Sequence, residues 1–327
     1  MTRKTLLVLI AIAAILCACN EDMKKEIVCW GDSLTAPHGG NSLKGKVRRW
    51  LGYNLSYPEY LEGILSDDYR IVNAGVGGEN TLTIMARQGA YPMQLAHDVV
   101  IFKSDERKYR TIVGNNDMSA FVSSYNGQNV TPLLQCGYDD ESPAQVNPCN
   151  IDGKQFELSS EAKFWKEDGK YKHEYNYYIE PSAKFESTDT IKAGSVLTTF
   201  AMENLRGKYA NVLFIGQNGG FDDVADLIKQ LQAMISYSQS DRYIVISFHK
   251  PNKVIPDYNR MKEMEDSLYQ VFGGHFINLR QNLSSDGQGE VEQKWLSTDN
   301  LHFNSDGYKR IANLVADKMK ELGYILN

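Results

Sequence analysis

Three residues of types that together carry out acyl transfer lie near the two ends of this 327-residue chain. Ser33 follows a short apolar run, and Asp299 and His302 stand three residues apart before the last helical pattern. A serine hydroxyl is a poor nucleophile unless a base takes its proton, and imidazole can do so near neutral pH. A carboxylate can hold the second ring nitrogen and stabilise the imidazolium. These residue types therefore suit ester hydrolysis, provided that the fold brings them together.

Short apolar runs that alternate with helical patterns indicate such a fold. Continuous apolar runs are typical of parallel strands that are buried on both faces, and alternation with helices indicates βαβ units. In sheets of this kind, ligands bind beyond the carboxyl ends of the strands, where three of these runs end in Gly, Asn or Ser clusters. The predicted strands are 26–30, 69–76, 210–215, 242–248 and 275–279. The predicted helices are 57–65, 221–237, 261–272 and a final helix capped by Asn304 or Ser305.

Residues from about 96 to about 205 break this alternation. The stretch is polar and Tyr-rich, has turn signals such as Asn126-Gly127, and shows alternating strand patterns over 170–179 and 183–200. We interpret it as a β-rich insertion between the second and third core strands. Its alternating aromatic residues are typical of a small internal core, with a sugar-stacking wall as the alternative. They are Phe164, Trp165, Tyr171, Tyr175, Tyr177 and Tyr178.

Four sequence blocks together resemble those of the SGNH or GDSL hydrolase superfamily. They are Gly31-Asp32-Ser33-Leu34, the run NAGVGGEN over 73–80, Gly216-Gln217-Asn218, and Asp299-Asn300-Leu301-His302. One such block is weak evidence, but four in order, each after a predicted strand or before a helix, are specific. The resemblance implies an α/β fold with three α/β/α layers, flavodoxin-like, around a five-stranded parallel sheet, to which the β-rich insertion is added.

The resemblance also implies the roles of individual residues. Ser33 would be the nucleophile, with His302 and Asp299 as the other members of a catalytic triad. The oxyanion hole would consist of the backbone N–H groups of Ser33 and Gly78 and the side-chain amide of Asn218. The resemblance implies no cofactor and no metal, and no Cys/His spacing in the chain resembles a zinc site.

Two features depart from the family pattern. Gly219 stands where the third block usually has Asp, so the Asn218 side chain could be held in a different way. The run Gly114-Asn115-Asn116-Asp117 fits the third block better letter by letter, which makes Asn116 the rival for the oxyanion role. The stronger strand before Gly216 and the amphipathic helix that follows favour Asn218.

The first residues resemble an export signal. Arg3 and Lys4 precede an apolar run over 6–16 that is too short to span a bilayer comfortably. Leu16-Cys17-Ala18-Cys19 resembles a bacterial lipoprotein box, which implies that Cys19 becomes the lipidated first residue; a plain secretory signal is the alternative. We therefore expect an exported protein, lipid-anchored in the bacterial outer membrane on its periplasmic or cell-surface face. The predicted organisation is a signal peptide over 1–19, a hydrolase domain over 20–95 and 206–327, and the insertion over 96–205.

The remaining cysteines and histidines yield weaker predictions. Cys29 lies in an apolar strand and is predicted to be a buried thiol. Cys136 and Cys149 could close a short loop in an oxidising compartment. The histidines other than His302 lack a partner at a useful spacing and are interpreted as structural, although His249 follows a core strand and could line the cleft.

The sequence thus predicts a serine ester hydrolase that removes a short acyl group, such as acetyl, from a carbohydrate. The carbohydrate part rests on analogy with lipid-anchored members of the superfamily. One alternative is a lipase or lysophospholipase, which predicts an exposed apolar rim near the cleft. Another is a non-catalytic glycan-binding surface lipoprotein, which predicts that a triad residue is lost. The net charge of −6 argues against a nucleic-acid partner, which would require a basic patch.

Overall fold

The computed structural model describes residues 24–36, 55–103, 111–115, 118–130, 146–286 and 289–326. Within them the strands are β1 (Lys25–Gly31), β2 (Tyr69–Gly75), β3 (Met93–Leu95), β4 (Val99–Ile101), β5 (Thr111–Gly114), β6 (Phe121–Ser123), β7 (Asn129–Val130), β8 (Cys149–Ile151), β9 (Lys154–Glu167), β10 (Lys170–Pro181), β11 (Asp189–Ile191), β12 (Leu197–Thr198), β13 (Ala210–Phe214), β14 (Tyr243–Ile246) and β15 (Phe276–Ile277). The α-helices are α1 (Tyr57–Ile64), α2 (Thr81–Gln88), α3 (Phe200–Asn204), α4 (Val224–Ser238), α5 (Tyr258–Phe272), α6 (Leu279–Leu283) and α7 (Ser305–Glu321).

Strands β1, β2, β13, β14 and β15 form one sheet in which every neighbouring pair is parallel. This confirms the predicted five-stranded parallel sheet. The strand order is β2-β1-β13-β14-β15, which is 2-1-3-4-5 when only these strands are counted. Sheets with this order bind ligands where the order reverses, beyond the carboxyl ends of the first and third strands. A site is therefore expected beyond Gly31 and Phe214, at which β1 and β13 end.

Apolar side chains are buried on both faces of this sheet. On β1, Val28 and Trp30 pack into a cluster that includes residues of α2, α4 and α5, whereas Ile27 and Cys29 pack into a second cluster with α1 and α7. This alternation follows from the period of two along a strand. Burying one such side chain contributes about 1.5–3 kcal/mol. Helices on both faces thus fix the sheet on which the site is built.

Side-chain caps explain where the helices begin. Asp223 accepts a hydrogen bond from the Asp226 N–H, so α4 starts three residues later than the sequence predicts. Asp257 caps α5 in the same way, and that helix starts three residues earlier than predicted. Asn304 caps α7, which settles the choice left open between Asn304 and Ser305. An unmade cap of this kind costs about 1 kcal/mol, which is enough to shift a helix boundary.

The region between α2 and β13 is rich in β-strands. Strands β12, β8, β9, β10 and β5 form a second sheet in that order, β3, β6 and β7 form a third, and β4 pairs with β11. The predicted strand over 183–200 is reduced to β11 and β12. The reason is a turn between them, in which the Ser195 N–H donates to the Lys192 carbonyl and Gly194 has a φ of 85°.

This region shares its core with one face of the parallel sheet. Phe121 and Phe156 belong to the same buried cluster as Trp30. At the far end of the β9–β10 hairpin, Phe164 and Trp165 are 61% and 37% exposed. The prediction of an internal aromatic core is therefore wrong for these two residues. Every residue over 163–170 is exposed, so both faces of the hairpin tip are in solvent.

Cys29 and Cys149 are buried free thiols, and burial raises the pKa of each to about 12. The prediction for Cys29 is confirmed, and the Cys149 Sγ donates to the Phe156 carbonyl at 3.3 Å. Cys136 and the lipidation candidate Cys19 lie outside the described residues. Among the helices that the structure describes, none is long and apolar enough to cross a membrane.

Candidate active site

Ser33 lies in the turn that leaves the carboxyl end of β1. Asp32 organises this turn, because its carbonyl accepts a hydrogen bond from the Thr35 N–H at 3.0 Å and its Oδ1 accepts one from the Leu34 N–H at 2.9 Å. Glycine is required at position 31, where a Cβ would lie 2.1 Å from Thr35 Oγ1. The half-buried Ser33 therefore stands at the point where the strand order reverses.

A second group of side chains supports this turn. The Thr35 carbonyl accepts hydrogen bonds from Asn73 Nδ2 at 2.9 Å and Ser56 Oγ at 3.0 Å. Glu59 accepts from Asn73 Nδ2 and from the Ser56 N–H, each at 2.9 Å. Ser56 and Glu59 form a capping box at the start of α1. Neither residue was predicted to support the site, although the Ser-x-x-Glu spacing before an apolar run is a recognisable signal.

Asp299 organises the loop that carries His302. Its Oδ1 accepts hydrogen bonds from Ser297 Oγ at 2.6 Å and from the backbone N–H groups of Leu301 and His302, each at 2.9 Å. Asn300 has a φ of 58°, in the left-handed region that Asn tolerates better than most residues. The chain therefore reverses between Asp299 and His302, and their side chains meet despite a separation of only three residues.

These two loops bring Ser33, His302 and Asp299 into contact. His302 Nε2 lies 2.9 Å from Ser33 Oγ, and His302 Nδ1 lies 2.6 Å from Asp299 Oδ2. A carboxylate can only accept hydrogen bonds, so the proton of a neutral His302 is assigned to Nδ1. Nε2 is then free to accept the hydroxyl proton of Ser33. The geometry suits general-base activation of the serine.

Hydrogen bonds keep Asp299 ionised. Burial alone would raise its pKa, but the donors Ser297 and His302 and the two backbone N–H groups outweigh this effect. Together they hold the pKa of Asp299 well below its ordinary value. The negative charge is therefore present throughout the neutral range, where it can stabilise a protonated His302.

Gly78 and Asn218 lie in the loops that follow β2 and β13. Gly78 is exposed and has a φ of 82°, a conformation that favours glycine. Asn218 Nδ2 donates to the Glu79 carbonyl at 3.0 Å and to Asp32 Oδ2 at 3.4 Å. The first hydrogen bond anchors the side chain, and the second, longer one keeps the nitrogen next to the turn that carries Ser33. The rival Asn116 lies outside the described residues.

The Asn218 loop is held without the aspartate that the family pattern has at position 219. Gly219 has a φ of 72°, and its N–H donates to the Gly216 carbonyl at 3.0 Å. The Gly219 carbonyl accepts from the Thr81 N–H at 3.0 Å, and Asn252 Nδ2 donates to Gly216 at 2.9 Å. Backbone hydrogen bonds and Asn252 therefore replace the missing side chain, and a β-carbon at position 219 would be strained.

Two ionisable groups beneath the site are pushed towards their neutral forms. Burial raises the pKa of Asp32 to about 7, although the nearby charge of His302 opposes this shift. Burial lowers the pKa of His249 to about 3. The His249 ring is fully buried and packs on Phe303, with ring centroids 4.6 Å apart. His249 therefore supports the loop from below and does not line the cleft.

Glu79 and Arg87 were not predicted to belong to the site, although Glu79 is adjacent to Gly78. Their carboxylate and guanidinium groups meet in the protein interior. The two are eight positions apart, with Glu79 just before α2 and Arg87 in its last turn, and the i,i+3 and i,i+4 rule for helix pairs does not predict this contact. In the part of the chain that the structure describes, no three His, Cys, Asp or Glu residues are grouped to hold a metal ion.

Comparison with known proteins finds weak similarities of overall fold. No protein-family model and no curated protein matches the sequence. One similar solved structure comes from Desulfitobacterium hafniense DCB-2, and its name assigns it to the G-D-S-L family of lipolytic proteins. It is 12% identical, and the match covers 90% of this chain and 99% of that chain with a TM-score of 0.41. A second solved structure is also 12% identical, covering 91% and 98% of the two chains with a TM-score of 0.39. Both TM-scores are below 0.5, so the site rests on its own geometry.

Proposed function

We propose that this chain is a serine ester hydrolase of the SGNH/GDSL type, built on a three-layer, flavodoxin-like α/β/α fold. The observation that supports this most strongly is the continuous contact from Ser33 Oγ through the imidazole of His302 to Asp299 Oδ2. Two loops that are distant in sequence, one with Ser33 and one with Asp299 and His302, are needed to make it. Such an arrangement is the recurring device for activating a serine on unrelated folds.

In the proposed mechanism, Ser33 Oγ attacks the acyl carbon while His302 Nε2 takes the hydroxyl proton. His302 then gives this proton to the leaving alcohol, and an acyl-enzyme remains. Water attacks the acyl-enzyme with the same proton route, which regenerates Ser33 and releases the acid. The backbone N–H groups of Ser33 and Gly78 and the Asn218 amide bind the oxyanion of each tetrahedral intermediate. Loss of one such donor typically lowers kcat by about 10²–10³.

The proposed substrate is a short acyl ester, such as acetyl on a carbohydrate. The lipase alternative predicts an exposed apolar rim, and the described surface does not favour it. Among the described residues, no large apolar side chain that is exposed lies in the loops 31–36, 76–80, 215–223, 247–257 or 296–304 around the site. Polar groups at the ends of β13 and β14, including Gln217, Lys250 and Asn252, are joined by hydrogen bonds. A polar cleft is better matched to a sugar ester than to a lipid.

A non-catalytic glycan-binding protein is the second candidate. The exposed pair Phe164 and Trp165 on the hairpin tip favours it, since exposed aromatic rings can stack on sugar rings. The retained contact between Ser33, His302 and Asp299 weighs against it.

Hydrolysis of p-nitrophenyl esters from acetate to long acyl chains tests the proposal. We expect the wild type to prefer the short esters and Ser33→Ala to lose about 10⁴-fold or more in kcat. Ser66→Ala, at an exposed serine outside the site loops, is the matched control and should retain activity. Covalent labelling of Ser33 by a fluorophosphonate gives a second readout. Absence of both turnover and labelling would favour the glycan-binding candidate.

The proposed location is the bacterial outer membrane, with a lipid anchor on Cys19. Its support is the sequence pattern alone. Fractionation of cells that express the wild type or Cys19→Ser tests it, because a variant without the acceptor thiol cannot be lipidated. The wild type should be found with membranes and the variant should be released from them; equal distribution of the two would contradict the anchor.

A further inference from the structure

A buried ion pair lies beneath the loop that carries Gly78. The Glu79 carboxylate accepts hydrogen bonds from Arg87 Nε at 3.2 and 3.1 Å and from Arg87 Nη2 at 2.8 Å. The Arg87 and Glu79 side chains are only 1% and 4% exposed. Arg87 Nη2 also donates to the Ala74 carbonyl at 2.9 Å. One guanidinium thus joins the end of β2 to the loop that follows it.

The backbone of Glu79 reaches the other side of the site. Its carbonyl accepts the hydrogen bond from Asn218 Nδ2, and its nitrogen is bonded to the carbonyl carbon of Gly78. The positions of two of the three proposed oxyanion donors, the Gly78 N–H and the Asn218 amide, therefore depend on the position of Glu79. The carboxylate itself is directed into the interior, towards Arg87.

Arg87 is in turn fixed from two other directions. Its guanidinium carbon lies 5.4 Å from the centre of the Trp30 ring, on the strand that leads to Ser33. Its backbone carbonyl accepts a hydrogen bond from Thr199 Oγ1 at 2.7 Å, and Thr199 belongs to the β-rich insertion. The ion pair is thus held by β1 on one side and by the insertion on the other.

We propose that Glu79 and Arg87 are positioning residues that set the geometry of the oxyanion hole. A buried ion pair contributes little net stability compared with apolar side chains of similar volume, and holding one conformation is among the roles suggested for such pairs. Oxyanion donors act only if they are preorganised near 2.7–3.1 Å from the developing charge. The inference rests on the proposed ester hydrolysis, because it concerns the transition state of that reaction.

The protein contains a matched control for this idea. Glu265 and Arg280 form a second ion pair, between α5 and α6, with the same side-chain exposures of 4% and 1%. Arg280 Nε and Nη2 each donate to the Glu265 carboxylate at 2.8 Å. Breaking either pair leaves an unpaired buried group, so both changes should destabilise the fold. Only the first pair adjoins a proposed oxyanion donor in sequence.

The test compares Glu79→Gln and Arg87→Lys with Glu265→Gln and Arg280→Lys. The measurements are the thermal midpoint, kcat and KM for p-nitrophenyl acetate, and the inhibition constant of a boronic acid that mimics the tetrahedral intermediate. We expect thermal midpoints to fall in both pairs. Only the Glu79 and Arg87 variants should lose about 10- to 100-fold in kcat, with KM almost unchanged. This loss is no larger than that expected when one oxyanion donor is removed altogether. Boronate binding should weaken by the same factor as kcat/KM.

Equal losses of kcat in the two pairs, or unchanged boronate binding in the Glu79 and Arg87 variants, would overturn the positioning role. Arg87→Lys retains the charge and serves if Glu79→Gln does not fold. Measurements on the wild type distinguish failure of the positioning role from failure of the proposed function. If the wild type neither hydrolyses esters nor is labelled at Ser33, ester hydrolysis itself is wrong, and the inference falls with it.

Discussion

Asp299 uses its two oxygens for different purposes. Oδ1 binds three donors of its own loop, while Oδ2 faces the imidazole of His302. The same carboxylate therefore shapes the loop and sets the tautomer of the proposed base. These two roles can be separated by substitution, because a neutral amide can still accept at one oxygen.

We expect Asp299→Asn to lower kcat by about 10³–10⁴ while KM changes little. If the amide oxygen keeps the loop contacts, its NH₂ group faces His302 Nδ1 and favours a proton on Nε2, which then cannot accept from Ser33. Steady-state kinetics with p-nitrophenyl acetate measures this. The control Ser297→Ala removes one donor to Oδ1 and should cost less than about tenfold. Equal losses in the two variants would show that loop shape dominates.

Asp32 gives a prediction about pH and stability. Its pKa is about 7 in the folded protein and 3.8 as an ordinary carboxyl, so between these values the folded state holds a proton that the unfolded state has lost. The free energy of unfolding therefore falls as pH rises through this window. In Asp32→Asn this fall should be absent. The difference in free energy of unfolding between the variant and the wild type should therefore be larger, in favour of the variant, at pH 8 than at pH 4.5, by on the order of a few kcal/mol. Denaturant unfolding at both pH values measures it. The exposed Asp67→Asn should show no such change, and a parallel response of wild type and Asp32→Asn would contradict the shift.

Among the elements, both ends of every core strand could be predicted to within about two residues, because buried parallel strands are continuous apolar runs. Helix α2 was not predicted, because its sequence lacks a recognisable apolar period. All its residues are buried, and these include Arg87 and Gln88, which are paired with Glu79 and with the Met234 carbonyl. A polar residue that is buried by a tertiary contact interrupts the apolar period of a helix, so the sequence pattern does not predict the helix.

The candidate site likewise has residues that the sequence predicts and contacts that it does not. Ser33, Asp299 and His302 could be singled out because four blocks in order, each after a strand or before a helix, resemble those of the SGNH/GDSL superfamily. The contacts that hold them, such as Asn218 to Glu79 or Glu79 to Arg87, join different elements. Such contacts depend on the three-dimensional arrangement of the loops, which one sequence does not contain.

Strand β9 provides a matched pair of phenylalanines. Phe156 is fully buried, whereas Phe164 near the hairpin tip is 61% exposed. We expect Phe156→Ala to cost about 3–5 kcal/mol in the free energy of unfolding and Phe164→Ala to cost no more than about 1.5 kcal/mol, since its exposed ring packs on Tyr175 with ring centroids 6.2 Å apart. Denaturant unfolding measures both changes. A large loss in Phe164→Ala would indicate that the tip packs against another part of the protein.

At the scale of the whole molecule, the insertion and one face of the parallel sheet belong to a single buried cluster. The hydrogen bond from Thr199 to the Arg87 carbonyl joins the same two regions close to the site. We expect one cooperative thermal transition, with loss of near-ultraviolet circular dichroism and of ester hydrolysis at the same temperature. Two calorimetric transitions, with activity surviving the first, would instead show that the insertion unfolds as an independent domain.

The contact between Ser33 and His302 joins residues 269 positions apart in the chain. A ribosome that has just made Ser33 must add almost the whole of the remaining described chain before the proposed base exists. During synthesis, Ser33 therefore has no base beside it. The proposed hydrolysis could begin only once the segments with Ser33 and His302 have both been made and have met. The separation along the chain thus delays the proposed activity until the loop with His302 has been made and has folded against Ser33.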